Sequence, residues 1–113
     1  MLSLIVLAAG KSTRMRGRNK LLAKVDGKPM IRRVVEAALS SKVDEVIVVL
    51  GHQADRIRNA LLDLPCRLVI NTGYAKGQSS SVKVGLSEVG EATRAILVLP
   101  GDMAKIDARS INL

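Results

Sequence analysis

Four short apolar runs, each followed by a polar break, constrain this chain more than any other feature. They are Ser3–Ala8, Glu45–Leu50 ("EVIVVL"), Arg67–Ile70 ("RLVI") and Ala95–Leu99 ("AILVL"). Their apolarity is continuous rather than alternating, so they read as strands covered on both faces, the pattern of a parallel sheet. Between them lie stretches with helical periodicity. In Pro29–Ser41, Met30, Ile31, Val34, Val35, Ala38 and Leu39 share one face, and Arg32, Arg33 and Glu36 lie opposite. Pro29 suits a first helical turn. Ala54, Ile57, Leu61 and Leu64 keep the period in the second stretch, and Val82, Leu86 and Val89 in the third, where serines suit the helix start. Asp107–Leu113 reads as a helix just begun. The order βαβαβαβ predicts a three-layer α/β/α sandwich with a Rossmann-like, mostly parallel sheet, in one domain over residues 1–113 that stops soon after the fourth strand. With a strand order of 3-2-1-4, order reverses between strands 1 and 4. Ligands of such sheets bind beyond the strand C-termini at that reversal. The loops there are Gly10–Lys20 and Pro100–Met103.

The core must be aliphatic, because Tyr74 is the only Phe, Trp or Tyr in the chain. Cys66 is the only cysteine, which excludes an intrachain disulfide and a cysteine-based metal cluster. It follows Pro65 and leads an apolar run, so it reads as a small core residue of a protein from a reducing, cytoplasmic compartment. No segment reaches the roughly 20 apolar residues of a membrane helix. Leu2–Ala9 is short, with its charges after it rather than before, which reads as a buried strand and not a signal sequence.

Charge is localised. Residues 11–33 hold nine lysines and arginines against Asp26 alone, while the rest of the chain carries nine basic and nine acidic residues. The whole net charge of +8 therefore sits directly after the first strand. A local positive field calls for an anionic partner. The chain lacks the interleaved aromatics on which single-stranded nucleic acids stack, and it has no helix-turn-helix or finger spacing. A phosphorylated small molecule fits the tight cluster better than nucleic acid.

The letters "GKST" after Gly10 echo a P-loop, but the first glycine of that motif would fall on Ile5, inside the strand. A dinucleotide G-x-G-x-x-G turn fails too, with Ser12 and Met15 at its second and third glycines.

Three stretches carry a family resemblance: "LAAGKSTRMRGRNKLL" (Leu7–Leu22), "NTGYAKGQSSSVKVGL" (Asn71–Leu86) and "LVLPGDM" (Leu97–Met103). Together they resemble the MobA-like nucleotidyltransferases, closest to the molybdenum cofactor cytidylyltransferase group, in order and spacing over nearly the whole chain. "GKPMIRRVVEAAL" and "VIVVLGHQADRIRNAL" fit the same pattern. The resemblance implies a nucleotide-diphospho-sugar transferase-like fold. It also implies a reaction in which the terminal phosphate of molybdopterin attacks the α-phosphate of a nucleoside triphosphate, CTP favoured over GTP, and pyrophosphate leaves.

Such a transfer needs positioning and charge neutralisation more than covalent catalysis. The resemblance assigns Leu7, Ala8, Ala9 and Gly10 to the nucleotide, where small residues let the backbone approach closely. It assigns Arg14 and Lys20 to the triphosphate as catalytic cations, and Asn71, Gln78, Ser79 and Ser80 to base and ribose. Asp102 is implied as the ligand of Mg²⁺, which bridges phosphates and suits a carboxylate. His52 reads as structural, and Tyr74 as a loop residue near the base region without a role. Two positions depart from the family: Arg16 stands where glycine is usual, and Ala104 where proline is. Family members are nearly twice as long, so this chain corresponds to the nucleotide-binding half, without the second metal-binding aspartate and the acceptor site. The alternatives are a guanylyl or sugar-phosphate nucleotidyltransferase of the same fold, a non-catalytic nucleotide-binding module, and a basic nucleic-acid-binding domain.

Overall fold

The computed structural model describes residues 2–9, 14–15, 18–19, 22, 24–25, 27–76, 78–90 and 93–100. Four parallel strands form the sheet: β1 (Leu2–Ala8), β2 (Glu45–Leu50), β3 (Arg67–Ile70) and β4 (Ala95–Pro100), in the order β3-β2-β1-β4. In this 3-2-1-4 order the reversal lies between β1 and β4. Leu4 pairs with Val46 on one side and Leu97 on the other, and Val48 pairs with Leu68. Two-residue antiparallel ribbons join Arg14–Met15 to Arg18–Asn19 and Lys24–Val25 to Lys28–Pro29.

Strand pleating divides the core in two. Leu4, Val6 and Ala8 of β1, with Val46, Val48 and Leu50 of β2, face helices α1 (Met30–Leu39) and α2 (Ala54–Ala60). Ile5, Leu7, Ala9 and Val49 face the other way, towards Val82 and Val84 of α3 (Gln78–Ser87). Each fully buried Leu or Ile contributes about 1.5–3 kcal/mol, so these aliphatic clusters are the main stabilising term. The two outer strands are less well covered than continuous apolarity implies. Ile96 and Val98, on the α3 side of β4, are exposed, because α3 lies over β1, β2 and β3 and does not reach across β4; Ile70 is exposed on the opposite face, at the end of β3.

The buried face of α1 is the one its period predicts: Met30, Ile31, Val34, Val35 and Ala38. The helix starts one residue later than expected, because Pro29 is still extended (φ −54°, ψ 141°) and paired with Lys24. It ends where the Ser40 hydroxyl donates to the Glu36 carbonyl at 2.9 Å and the Ser41 hydroxyl to Ala38 at 2.6 Å. The same two carbonyls also accept the Ser40 and Ser41 amides, at 3.0 and 3.1 Å, so side chain and backbone close the helix end together. Helix α2 is shorter than its apolar period, since Leu61 leaves helical geometry (φ −118°) and Pro65 disfavours helix at the residue before it. Arg32 of α1 clamps the end of α2, donating to both carboxylate oxygens of Asp63 at 2.6 and 2.9 Å and to the Ala60 carbonyl at 3.1 Å.

Helix α3 corrects the periodic reading. Its sheet-facing side is centred on Ser81 and Gly85, both buried, and Leu86 points to solvent. A Cβ on Gly85 would lie 2.7 Å from Ile5 Cγ2 and 3.2 Å from Val49 Cγ2. The helix therefore sits close enough to the sheet that only a small residue fits there.

At the N-terminal end of the sheet, Ser3 Oγ donates to Glu45 Oε1 at 2.6 Å and lies 2.7 Å from Thr93 Oγ1, while the Leu2 amide donates to Asp44 at 2.6 Å. This polar tie holds β1, β2 and the approach to β4 at the end away from the loops discussed next.

Candidate nucleotide-binding site

The loops that carry the sequence motifs leave one end of the sheet. Leu7 pairs with Pro100, Ala8 with Leu50, and Leu50 with Ile70, so the exits of all four strands lie side by side. Pairing continues one step beyond the ladder. The His52 amide donates to the Ala9 carbonyl at 3.0 Å, and the Asn71 amide to the Leu50 carbonyl at 2.7 Å. Gly51 makes this rim possible. A Cβ there would lie 2.7 Å from Tyr74 Cβ, 2.8 Å from Ala9 Cβ and 2.9 Å from the Ala9 carbonyl oxygen. Three loops thus converge on a position that has room for hydrogen alone.

Leu7, Ala8 and Ala9 are all buried at the end of β1, with Leu7 and Ala9 in the α3-side cluster and Ala8 in the other. Their side chains are spent in the core. Asn71 is buried and fully engaged. Its Nδ2 donates to Ser80 Oγ at 2.9 Å and Ser81 Oγ at 3.0 Å, and its Oδ1 accepts the Gly73 amide at 2.9 Å. Ser80 Oγ donates onward to the Gly73 carbonyl at 3.2 Å. One amide side chain therefore ties the turn after β3 to the first turn of α3, the Asx geometry that asparagine favours. Ser79 is exposed on that first turn. Gly10, Lys20 and Asp102 lie outside the described residues, as does the tail Asp107–Leu113. Arg14 is placed in the short ribbon and Gln78 at the start of α3, and their side chains lie outside the description.

Sequence reasoning gave no role to two neighbours at this rim. The rings of His52 and Tyr74 lie 6.1 Å apart between centroids, tilted by 53°. Tyr74 opens a single helical turn, Tyr74–Lys76, closed by the Lys76 amide on the Gly73 carbonyl at 2.9 Å. The usable signal was a Gly-His pair directly after an apolar run. Next along, Gln53 has a left-handed backbone (φ 55°), and its buried Oε1 has no hydrogen-bond partner among the described residues. Strain of this kind concentrates at functional loops.

Cys66 lies before β3, at the opposite end of the sheet, half-buried against the α1/α2 cluster. Burial pushes its thiol up from the ordinary value, which disfavours the thiolate a nucleophile needs. Among the described residues, no three of His, Cys, Asp and Glu are grouped to hold a metal. No helix among them is long and apolar enough to cross a membrane.

The family described as "MobA-like NTP transferase domain" matches residues 4–113. The chain belongs to this family. It is 32% identical over 112 residues to the bifunctional protein GlmU of Desulfotalea psychrophila, covering 98% of this chain and 33% of that protein. To the GlmU of Alkalilimnicola ehrlichii it is 40% identical, covering 98% of this chain and 24% of that protein. Among solved structures, a nucleotidyl transferase from Methanothermobacter (Mth528) superposes with a TM-score of 0.87 at 33% identity, over 96% of this chain and 54% of that one. The chain thus spans a quarter to a third of these curated relatives and about half of the solved one. The fold is that of the nucleotide-diphospho-sugar transferases.

Proposed function

We propose that this chain is the nucleotide-binding part of a Mg²⁺-dependent nucleotidyltransferase that takes CMP from CTP to the phosphate of molybdopterin and releases pyrophosphate. The observation that carries the reading is topological. The loops leaving β1 and β4 start side by side at the point where strand order reverses, with Leu7 paired to Pro100. The first of these loops carries the concentrated positive charge and the second carries Asp102. Opposed cations and a carboxylate at such a crevice suit a triphosphate.

In this reading, backbone at Leu7–Gly10 lies against the nucleotide. Lys20 and Arg14 hold the triphosphate oxygens and offset the charge that grows on the departing pyrophosphate. An acceptor phosphate oxygen forms the new bond to the α-phosphorus as the bond to the bridging β-phosphate oxygen breaks. Asn71 holds the turn, and Ser79, Ser80 and Gln78 face ribose and base. The donor set fits magnesium: a lone hard carboxylate, Asp102, beside phosphate oxygens. Bound there, Mg²⁺ would neutralise phosphate charge. The chain belongs in the cytoplasm, where nucleoside triphosphates are abundant.

A second acceptor class has its own support. The matches of 32–40% identity to GlmU span nearly all of this chain and a quarter to a third of that protein, and the fold is that of the nucleotide-diphospho-sugar transferases, so a sugar phosphate fits the acceptor side as well as molybdopterin. The discriminating experiment is pyrophosphate release with CTP, GTP, UTP and ATP, each against molybdopterin and a panel of sugar 1-phosphates. Release with CTP and molybdopterin supports the first reading. Release confined to a sugar phosphate favours the second. Failure of every nucleotide to bind overturns both.

A further inference from the structure

We propose that Tyr74 and His52 form the wall against which the nucleobase lies, an assignment that rests on the nucleotide reading above. The chain contains one tyrosine, one histidine, and no phenylalanine or tryptophan. Its core is aliphatic throughout, so ring packing is not what its fold runs on. Yet the only two rings meet, 6.1 Å apart, at the rim where the strands end.

Their placement is over-determined. Gly51 brings Tyr74 Cβ and Ala9 against the same small gap. The His52 amide is bonded to the Ala9 carbonyl, and Tyr74 sits in a turn that Asn71 and Ser80 tie to α3. Both residues are half-buried. Tyr74 rests on the cluster that includes Leu7 and Ala9, the residues proposed to run along the nucleotide. With the two ring planes tilted by 53°, a base stacked on one ring has the other beside it at an angle. Stacking supplies affinity for any base, because every base has a π-face.

The chain also supplies its own probe. In ¹³C-edited aromatic NMR spectra of labelled protein, only Tyr74 and His52 contribute signals. Addition of CTP or GTP with Mg²⁺ should shift both sets by ring current, and inorganic tripolyphosphate should not. Calorimetry should find nucleotide binding weakened roughly tenfold by Tyr74→Ala, unchanged by Tyr74→Phe, with tripolyphosphate affinity the same in all three proteins. Nucleotide binding that leaves both rings unshifted, or that survives Tyr74→Ala at full affinity, overturns the assignment while the nucleotide reading stands. Absence of any nucleotide binding by the wild type overturns both.

Discussion

Replacing Asn71 by alanine tests how the rim is held together. The side chain is 4% exposed and makes three hydrogen bonds of 2.9–3.0 Å, to Ser80, Ser81 and the Gly73 amide. Each such bond contributes about 0.5–1.5 kcal/mol net, and Ser81, itself buried, is left without this partner. The expected loss is about 3 kcal/mol. For a domain of this size that lowers the midpoint of thermal unfolding by roughly 10 °C. Urea unfolding followed by circular dichroism at 222 nm measures it, since the chain has no tryptophan to report. Thr72→Ala, at the exposed next position, is the control and should stay within about 0.5 kcal/mol of wild type. Asn71→Asp should also destabilise, because it buries a charge where the Ser80 hydroxyl already donates its proton to the Gly73 carbonyl. If Asn71→Ala matches the Thr72→Ala control, the turn is not held by this side chain and the reasoning is wrong.

Three further outcomes follow from the packing and charges. Gly85→Ala gains about 1 kcal/mol in helix propensity but overpacks the stiff branched side chain of Ile5 at a cost of about 1–3 kcal/mol, so chemical denaturation should show a net loss of about 1 kcal/mol; a more stable variant would contradict the close approach of α3. Gly51→Ala presses on Tyr74 and Ala9, neither of which can swing aside, and should cost about 1–3 kcal/mol while weakening nucleotide binding; unchanged affinity would show that the three loops do not act together. The Arg32 guanidinium holds the Asp63 carboxyl down to about 2. Since the folded value lies below the unfolded one, this contribution is present above the ordinary carboxylate range and is lost as pH falls towards 2. The stability gap between wild type and Asp63→Asn should therefore hold steady from pH 7 to pH 5 and close below about pH 4; a gap that does not vary with pH would exclude the ion pair as its source.

The sheet was legible because β1 and β2 are buried on both faces, which writes itself as unbroken apolar runs. Helix α1 was legible for the complementary reason, one apolar stripe against one polar face. The packing face of α3 was not. Ser81 and Gly85 make contact by being small, and a pattern of hydrophobic residues marks Leu86 instead. The open face of β4 was hidden as well, since Ile96 and Val98 look like core residues until the reach of α3 is known. At the rim, Leu7–Ala9, Asn71 and Ser80 stood out through the family resemblance of the stretches that carry them. Their division of labour did not, because the Asn71 bonds join positions up to ten apart. The meeting of His52 with Tyr74 depends on the missing side chain of Gly51, a contact between loops that no local pattern encodes. The expectations for Gly10, Lys20 and Asp102 rest on the sequence alone.

The central claim is that this chain binds a nucleoside triphosphate where β1 and β4 end. Calorimetric titration of CTP with Mg²⁺ into wild type, Lys20→Ala and Asp102→Ala tests it most directly. Binding by wild type, with each variant weakened by about tenfold or more through loss of a charge-assisted contact, is the predicted result. No binding by wild type, or equal binding by all three, would contradict it.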